Sequence, residues 1–349
     1  MSTNSYEKAV MQQRSSKARQ AKRVSNDSSP IAVFAAIFGN ILIGIVKFIA
    51  AGISGSSAMV AEGIHSIVDS GDGILVLYGL QASKKKPDIE HPFGYGKELY
   101  FFTFIVALLI FALGGGVSIV KGGLAWMNAD TTFLGDPTIN YVVCLIAMII
   151  EGTSLGIAIH TVNKERGSMG IVDYVKTCKD PSNFVILFED SAAELGLIVA
   201  IVGVWLSNIT GNPRFDAVAS IIIGLILIVV AVLLFKECKG LLIGEGLSPY
   251  EIEDIIKIVE KDQCVNHCGQ VLSMYMGPQD MILTLDVNFK KEASEVEVLR
   301  SIDRIEKDIT GKYPEARRIF IEVESFQSVH RQKQVLEELI EEAEAELEE

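Results

Sequence analysis

Four ionisable side chains share one face of a long apolar stretch near the start of the chain. At positions i, i+3, i+7 and i+10 within residues 56–80 stand Glu62, His65, Asp69 and Asp72. On an α-helix these spacings place all four side chains on one stripe. Three carboxylates and an imidazole on a membrane-length helix are costly unless they face partners, water or an ion. The stripe therefore predicts an ion path, and a satisfied polar core is the alternative.

If the stripe is an ion path, the chemistry it needs is reversible metal coordination. One imidazole and several carboxylates form a borderline-to-hard ligand set that suits Zn²⁺, and also Mn²⁺, Fe²⁺, Co²⁺ or Cd²⁺. No thiol lies on this face, which disfavours Cu⁺. These ligands must be deprotonated to bind a metal, so metal binding and proton release are linked.

The composition predicts a membrane domain with a soluble appendage. Of the 349 residues, 49% are hydrophobic and 21% charged, and the mean hydropathy is +0.35. A soluble globular protein with this share of charge would be less apolar, unless the charges were segregated. They are segregated, because the middle of the chain is nearly free of charge and both ends are rich in it. The net charge of −13 disfavours binding to nucleic acid.

Six apolar stretches are each long enough to cross a hydrocarbon core of about 30 Å. They cover residues 31–53, 56–80, 99–120, 139–161, 184–206 and 215–235. Basic residues concentrate in the N-terminal tail and after the second, fourth and sixth stretches, whereas the other connections contain only Lys121 and Arg214. An excess of Lys and Arg marks the cytoplasmic side, so both termini are expected in the cytoplasm. The N-terminal tail is polar and basic and does not resemble a cleaved signal peptide.

A small α+β layer is predicted after Gly246. Ser248 can cap a helix that has Pro249 at its first position. Helical and strand patterns then alternate in the order α-β-β-α-β, over residues 250–261, 271–276, 281–289, 295–309 and 318–324. The expected fold is an all-α six-helix transmembrane domain followed by this cytoplasmic α+β domain. The predicted boundaries are 1–28 for the basic cytoplasmic tail, 29–240 for the transport domain, 246–326 for the α+β dimerisation domain and 330–349 for an acidic helical tail.

The five cysteines do not have the spacing of a disulfide framework. Cys264 and Cys268 stand four residues apart with His267 between them, an arrangement that could bind a metal. No second cluster of this kind accompanies it in the sequence.

Over residues 31–324 the chain resembles the cation diffusion facilitator family of divalent-metal/proton antiporters. His65-Ser-Ile-Val-Asp69 is similar to the HxxxD metal pair of that family, and residues 91–97 (HPFGYGK) to its HxFGxxK loop. Residues 215–220 resemble the start of the family's sixth span. The segments 178–193 and 209–213, with the Glu151-Gly pair, are similar to the mitochondrial zinc-transporter branch.

The resemblance implies a secondary active transporter, not an enzyme, that exports divalent metal from the cytoplasm in exchange for protons. Zn²⁺ is the expected cargo and no prosthetic group is expected. The implied partners are a second copy of the chain, membrane lipid, divalent ions and protons, without nucleic acid. The protein would be a multi-pass protein of the cell (inner) membrane.

The fifth stretch departs from the family pattern, because Ile186 stands where a second HxxxD would place its histidine. The implied metal ligands are His65, Asp69 and Asp190, completed by Glu194 or Glu62. Glu151 could face the same cavity or carry a proton. Glu189 lies about 100° from Asp190 around the helix and is expected to point inward less than Asp190. The alternative for Asp190 and Glu194 is a structural pairing with Lys47 or another buried partner.

Two further pairs follow from the resemblance. Lys97 and Asp216 are expected to form an inter-helix salt bridge at the cytoplasmic side of a dimer interface. Asp88 and His91 match a loop metal site of some relatives, in which Tyr95 here replaces a second histidine. The cytoplasmic domain is expected to dimerise and to bind little or no metal.

Other functions could use the same polar stripe. A cation channel would not need ligands that change protonation, and a membrane metal sensor would recruit partners through its cytoplasmic domain. An intramembrane metallohydrolase is disfavoured, because the sequence has no HExxH motif or paired-aspartate protease context.

Overall fold

The computed structural model describes residues 30–131, 135–167 and 169–323. The predicted tails over 1–28 and 330–349 lie outside the described residues. The chain divides into two compact units. Among the described residues, the first comprises 30–87 and Lys97–Leu242, and the second comprises Asp88–Gly96 and 243–323.

The first unit is helical. Its elements in chain order are α1 (Pro30–Ser54), α2 (Ser57–Ser83), α3 (Glu98–Leu109), a π-helical turn (Ile110–Gly116), α4 (Val117–Met127), a 3₁₀ turn (Ala129–Thr131), α5 (Thr138–Arg166), α6 (Ile171–Thr177), α7 (Pro181–Thr210) and α8 (Arg214–Ile243). The short helix α6 was not predicted from the sequence.

Four helical stretches of the described chain are long and apolar enough to cross a membrane. They are Ile37–Ser54, Glu98–Met127, Thr138–Arg166 and Arg214–Ile243. Helices α2 and α7 have 27 and 30 residues, which is sufficient length for a span. Each also carries three acidic residues, which are costly inside a membrane unless they have partners. The count of six spans therefore stays a prediction.

The third apolar stretch is not the uninterrupted α-helix that was predicted. Its π-helical turn contains Gly114, Gly115 and Gly116, and it lies against α8. A Cβ atom on Gly115 would be 2.9 Å from the carbonyl oxygen of Gly224, and one on Gly224 would be 2.8 Å from that of Gly115. Glycine at both positions lets the two backbones approach closely, as small residues commonly do between membrane helices.

The second unit contains the predicted small sheet. Its elements are α9 (Pro249–Val259), β1 (Val265–Gly277), β2 (Asp280–Phe289), α10 (Glu295–Lys312) and β3 (Ala316–Val323). Strand β2 is central, antiparallel to β1 and parallel to β3. β1 begins at Val265 and not at residue 271 as predicted, because bulges allow it to continue pairing with β2.

Both helices of the second unit begin with a capping box, in which Ser248 pairs with Glu251 and Ser294 with Glu297. One face of β2 is fully buried against the apolar sides of these helices. The side chains on that face are Met281, Leu283, Leu285 and Val287. The alternation predicted for this strand is therefore confirmed.

Candidate functional site

The polar stripe of α2 faces the interior of the first unit. Helix α2 begins after Ser56, whose hydroxyl accepts a hydrogen bond from the Met59 amide. Glu62 is 0% exposed, His65 4% and Asp72 1%, and Asp69 is partly buried. Helices α1 and α7 both pack against α2. The sequence therefore identified the buried polar face of this helix correctly.

Lys47 of α1 neutralises the amino-terminal end of the stripe. Its ammonium group lies 3.1 Å from the Glu62 carboxylate and 3.0 Å from that of Glu151, and it donates to the Ser66 hydroxyl at 2.9 Å. Lys47 and Glu62 are completely buried. We call Lys47, Glu62, Ser66 and Glu151 the lysine cluster. The suggested alternative was a pairing of Asp190 and Glu194 with Lys47 or another buried partner, whereas the carboxylates that lie beside Lys47 are those of Glu62 and Glu151.

The implied metal ligands have three different surroundings in this structure and do not share a common partner. The Nδ1 atom of buried His65 has no hydrogen-bond partner. Asp69 accepts a hydrogen bond from the Asn40 amide at 2.5 Å, and Asp190 accepts one from the Ser154 hydroxyl at 2.7 Å. Within the described ranges, no three acidic, histidine or cysteine side chains are arranged to hold a metal ion. Coordination by these residues would therefore require their side chains to move together.

Two glycines leave space for the side chains of Glu62 and Glu194. A Cβ atom on Gly152 of α5 would lie 2.9 Å from the Glu194 carboxylate, and one on Gly196 of α7 would collide with the Glu62 carboxylate. One oxygen of each glutamate lacks a hydrogen-bond partner. Glu62 is held by Lys47, so Glu194 is the more available of these two glutamates to an ion.

Glu189 differs from its predicted orientation. It was expected to point inward less than Asp190, yet its side chain is buried and its carboxylate interacts electrostatically with Asp72 and Asp69 of α2. The physical reason is the position of α7, which packs against both α2 and α5. Adjacent residues lie about 100° apart on a helix, so Glu189 faces α2 whereas Asp190 reaches Ser154 of α5.

The predicted pairing of Lys97 with Asp216 is contradicted by their positions. Asp216, near the start of α8, accepts hydrogen bonds from the Ser56 hydroxyl and the Ser57 amide, both at 2.5 Å. Lys97 donates to the Leu242 carbonyl at 3.3 Å, near the end of α8. These points are about 39 Å apart at 1.5 Å per residue. Two subunits in the same membrane orientation would keep these residues at opposite ends.

The predicted loop site belongs to the second unit. The Asp88 carboxylate lies 3.6 Å from His91 Nδ1, and both side chains are about half exposed. Tyr95 donates a hydrogen bond to Asp88 at 2.6 Å, and this bond lowers the pKa of the Asp88 carboxyl. The tyrosine thus occupies a coordination position of the carboxylate that a metal would need.

The Cys264–His267–Cys268 group does not converge on one point. Both thiols are buried, whereas His267 is about half exposed and lies 2.9 Å from Glu260. Arg304 lies 3.8 Å from the sulfur of Cys264. The side chains therefore face different surroundings.

Sequence reasoning missed Asn40 and Ser154 as donors to Asp69 and Asp190, and it missed the Ser66 hydroxyl as an acceptor for Lys47. Asn40 and Lys47 are seven residues apart on α1, a spacing that places them on one helix face. This was the signal that α1 supplies donors to the α2 stripe.

Comparison with known proteins shows which family and which individual proteins resemble this chain. A sequence profile described as the cation efflux transmembrane domain matches residues 33–243. Metal tolerance protein C4 of Arabidopsis thaliana is 32% identical over 281 residues, which are 78% of this chain and 60% of that protein. The human mitochondrial proton-coupled zinc antiporter SLC30A9 is 27% identical over 332 residues, 83% of this chain and 58% of the relative. The manganese efflux system protein MneP of Bacillus subtilis is 23% identical over 261 residues, 72% of this chain and 82% of the relative.

The chain spans about three-fifths of the length of the first two of these relatives. The profile match covers more than half of the chain, and it includes the α2 stripe and the acidic residues of α7. The chain therefore belongs to the cation efflux family.

Proposed function

We propose that the chain exports a divalent metal ion across a membrane in exchange for protons. The observation that carries this proposal is the buried stripe of α2, which faces the acidic residues of α7 and retains polar atoms without hydrogen-bond partners. Such groups are costly inside a membrane protein unless an ion or protons use them. Membership of the cation efflux family supports transport as the activity.

His65, Asp69 and Asp190 are the proposed ligands of the transported ion, with Glu194 as the fourth. Glu194 is preferred to Glu62, because Lys47 already engages Glu62. Movement of the Asn40 and Ser154 donors would release Asp69 and Asp190 for coordination. Each ligand must be deprotonated when it binds the ion, so protons arriving from the outer side would displace it.

Zn²⁺ is the proposed cargo, and Mn²⁺ is its strongest competitor. The nitrogen ligand favours Zn²⁺, and the carboxylates accept Mn²⁺, Fe²⁺, Co²⁺ and Cd²⁺ as well. The names of two relatives support this pair of metals, since one is a zinc antiporter and the other a manganese efflux protein.

The proposed topology has six spans and two cytoplasmic termini. The spans are α1, α2, the continuous stretch from α3 to α4, α5, α7 and α8. The distribution of Lys and Arg between the connections supports this orientation. The α+β unit would then lie in the cytoplasm and contribute to a homodimer in the cell (inner) membrane, and Glu151 would serve as a proton carrier or a partner of Lys47.

A flux experiment tests the proposal and separates it from a channel or a sensor. The full chain is reconstituted in liposomes, and Zn²⁺ and Mn²⁺ uptake is followed with and without an imposed pH gradient. An antiporter accumulates metal inside the liposomes against its gradient when the lumen is more acidic than the medium, because protons that leave down their gradient drive metal inward. Metal movement that only follows its own gradient would indicate a channel, and metal binding without any flux would indicate a sensor.

A further inference from the structure

Two pairs of acidic side chains in the polar core differ in whether a positive charge lies beside them. In the lysine cluster, Glu62 and Glu151 share the buried ammonium of Lys47. Asp72 and Glu189, which we call the inner pair, are in a different situation. In the described part of the chain, the charged groups that interact with the inner pair are all acidic. The structure therefore supplies a cation to one set and not to the other.

The inner pair is buried and largely unbonded. Asp72 is 1% exposed and Glu189 8%. Both oxygens of Asp72 and the Oε1 atom of Glu189 have no hydrogen-bond partner. A buried carboxylate without a partner is strongly unfavourable, so it must be neutralised by a proton or by a bound cation.

Asp69 provides a third oxygen ligand next to the inner pair. It lies three residues before Asp72 on the same face of α2, and its carboxylate interacts electrostatically with both members of the pair. The Asn40 amide holds one Asp69 oxygen. Asp72, whose oxygens are unbonded, can rotate toward Glu189 without breaking a hydrogen bond.

We propose that the side chains of Asp72, Glu189 and Asp69 move together to form a second divalent-cation site composed only of oxygen ligands. The proposal rests on the proposed transport function and adds an ion position to it. Asp72 is seven residues beyond His65, a distance of about 10 Å along α2, toward the end of the helix that the proposed topology places near the cytoplasm. An arriving ion occupies this site before it reaches His65. Oxygen-only ligands suit hard cations, so the site takes Mn²⁺ more readily relative to Zn²⁺ than the His65 site does.

The test counts ions bound to the full chain in lipid nanodiscs. Equilibrium dialysis against Mn²⁺, followed by elemental analysis, is applied to the unaltered chain, to Asp72→Asn/Glu189→Gln and to His65→Ala. We expect each variant to bind one Mn²⁺ fewer per chain than the unaltered protein. Asp130→Asn, which removes an exposed carboxylate on a connecting turn, is the control and is expected to bind as many ions as the unaltered chain.

A second measurement applies to the unaltered chain and does not depend on the folding of a variant. A hydrophobic carbodiimide modifies buried carboxyl groups, and mass spectrometry locates the modified residues. We expect Mn²⁺ to reduce modification of Asp72 and Glu189 at least tenfold.

The possible results separate this proposal from the proposed function. Undiminished Mn²⁺ binding by Asp72→Asn/Glu189→Gln, or modification of the inner pair that Mn²⁺ does not change, would overturn the second site while leaving metal transport at His65 intact. Failure of the unaltered chain to bind any divalent ion would overturn both.

Discussion

Lys47 offers a direct test of how the polar core is held together. Its ammonium is completely buried and lies 3.1 Å from Glu62 and 3.0 Å from Glu151. The substitution Lys47→Met keeps an unbranched apolar stem and removes the charge, so two carboxylates lose their cation. Removing one partner of a buried ion pair costs about 3–5 kcal/mol. Because both carboxylates depend on the same lysine, we expect a loss in the upper part of this range.

Thermal unfolding of the full chain in detergent micelles measures the effect. A loss of about 4–5 kcal/mol should lower the unfolding midpoint by about 8–20 °C, since 1 kcal/mol corresponds to about 2–4 °C for a unit of comparable length. Lys121→Met is the matched control, because Lys121 is an exposed lysine of α4. Its substitution should change the free energy of unfolding by less than about 0.5 kcal/mol.

A double-mutant cycle identifies the contact responsible. Glu62→Gln removes one of the carboxylates that Lys47→Met leaves without a cation, so the combined variant should be less destabilised than the sum of the single variants. Equal midpoints for Lys47→Met and Lys121→Met would refute the reasoning. Strict additivity of Lys47→Met and Glu62→Gln would show that their contact contributes nothing to stability.

Three further predictions concern the ion path, the helix packing and the second unit. His65→Ala and Asp69→Ala should each abolish metal flux in liposomes while the elution volume of the purified chain stays unchanged, and wild-type flux in either variant would remove that residue from the path. Gly122→Ala should cost about 1–3 kcal/mol through overpacking, because its Cβ would lie 2.8 Å from the Ala217 carbonyl oxygen, whereas Gly123→Ala has open space and serves as the control in thermal unfolding. Asp262 is bonded to Arg304 at 2.7 Å, and this bond lowers its pKa from 3.8 to about 2. The shift corresponds to about 2 kcal/mol of stability that is present above pH 3.8 and is lost as the pH falls through about 2. Asp262→Asn should therefore increase amide hydrogen exchange in β1 at neutral pH, and unchanged exchange would contradict this assignment.

Periodicity was sufficient to predict the strand β2 and the buried face of α2. The spacing of Glu62, His65, Asp69 and Asp72 defines that face whatever the neighbouring helices do, because it depends only on the geometry of one helix. The alternation in β2 has the same local origin, since every second side chain of a strand points to the same side.

The orientation of α7 could not be predicted in this way. Glu189 and Asp190 are adjacent in sequence, and either could face α2 depending on how α7 crosses its neighbours. The partners of Lys47 depend likewise on the packing of α1 against α2 and α5. The π-helical turn arises where Gly115 meets Gly224, a contact between residues that are far apart in the sequence.

The bonding of Asp216 has a consequence for how the chain is assembled during synthesis. Its carboxylate accepts hydrogen bonds from the first turn of α2, including the amide of Ser57, which precedes it by 159 residues. At about 5–20 residues per second, α8 emerges from the ribosome roughly 8–32 s after α2. Throughout that interval the amino end of α2 lacks its acidic acceptor, although Ser56 caps it locally. A nascent chain truncated before Asp216 should therefore have a frayed first turn in α2. This turn becomes fully hydrogen-bonded only after α8 has inserted.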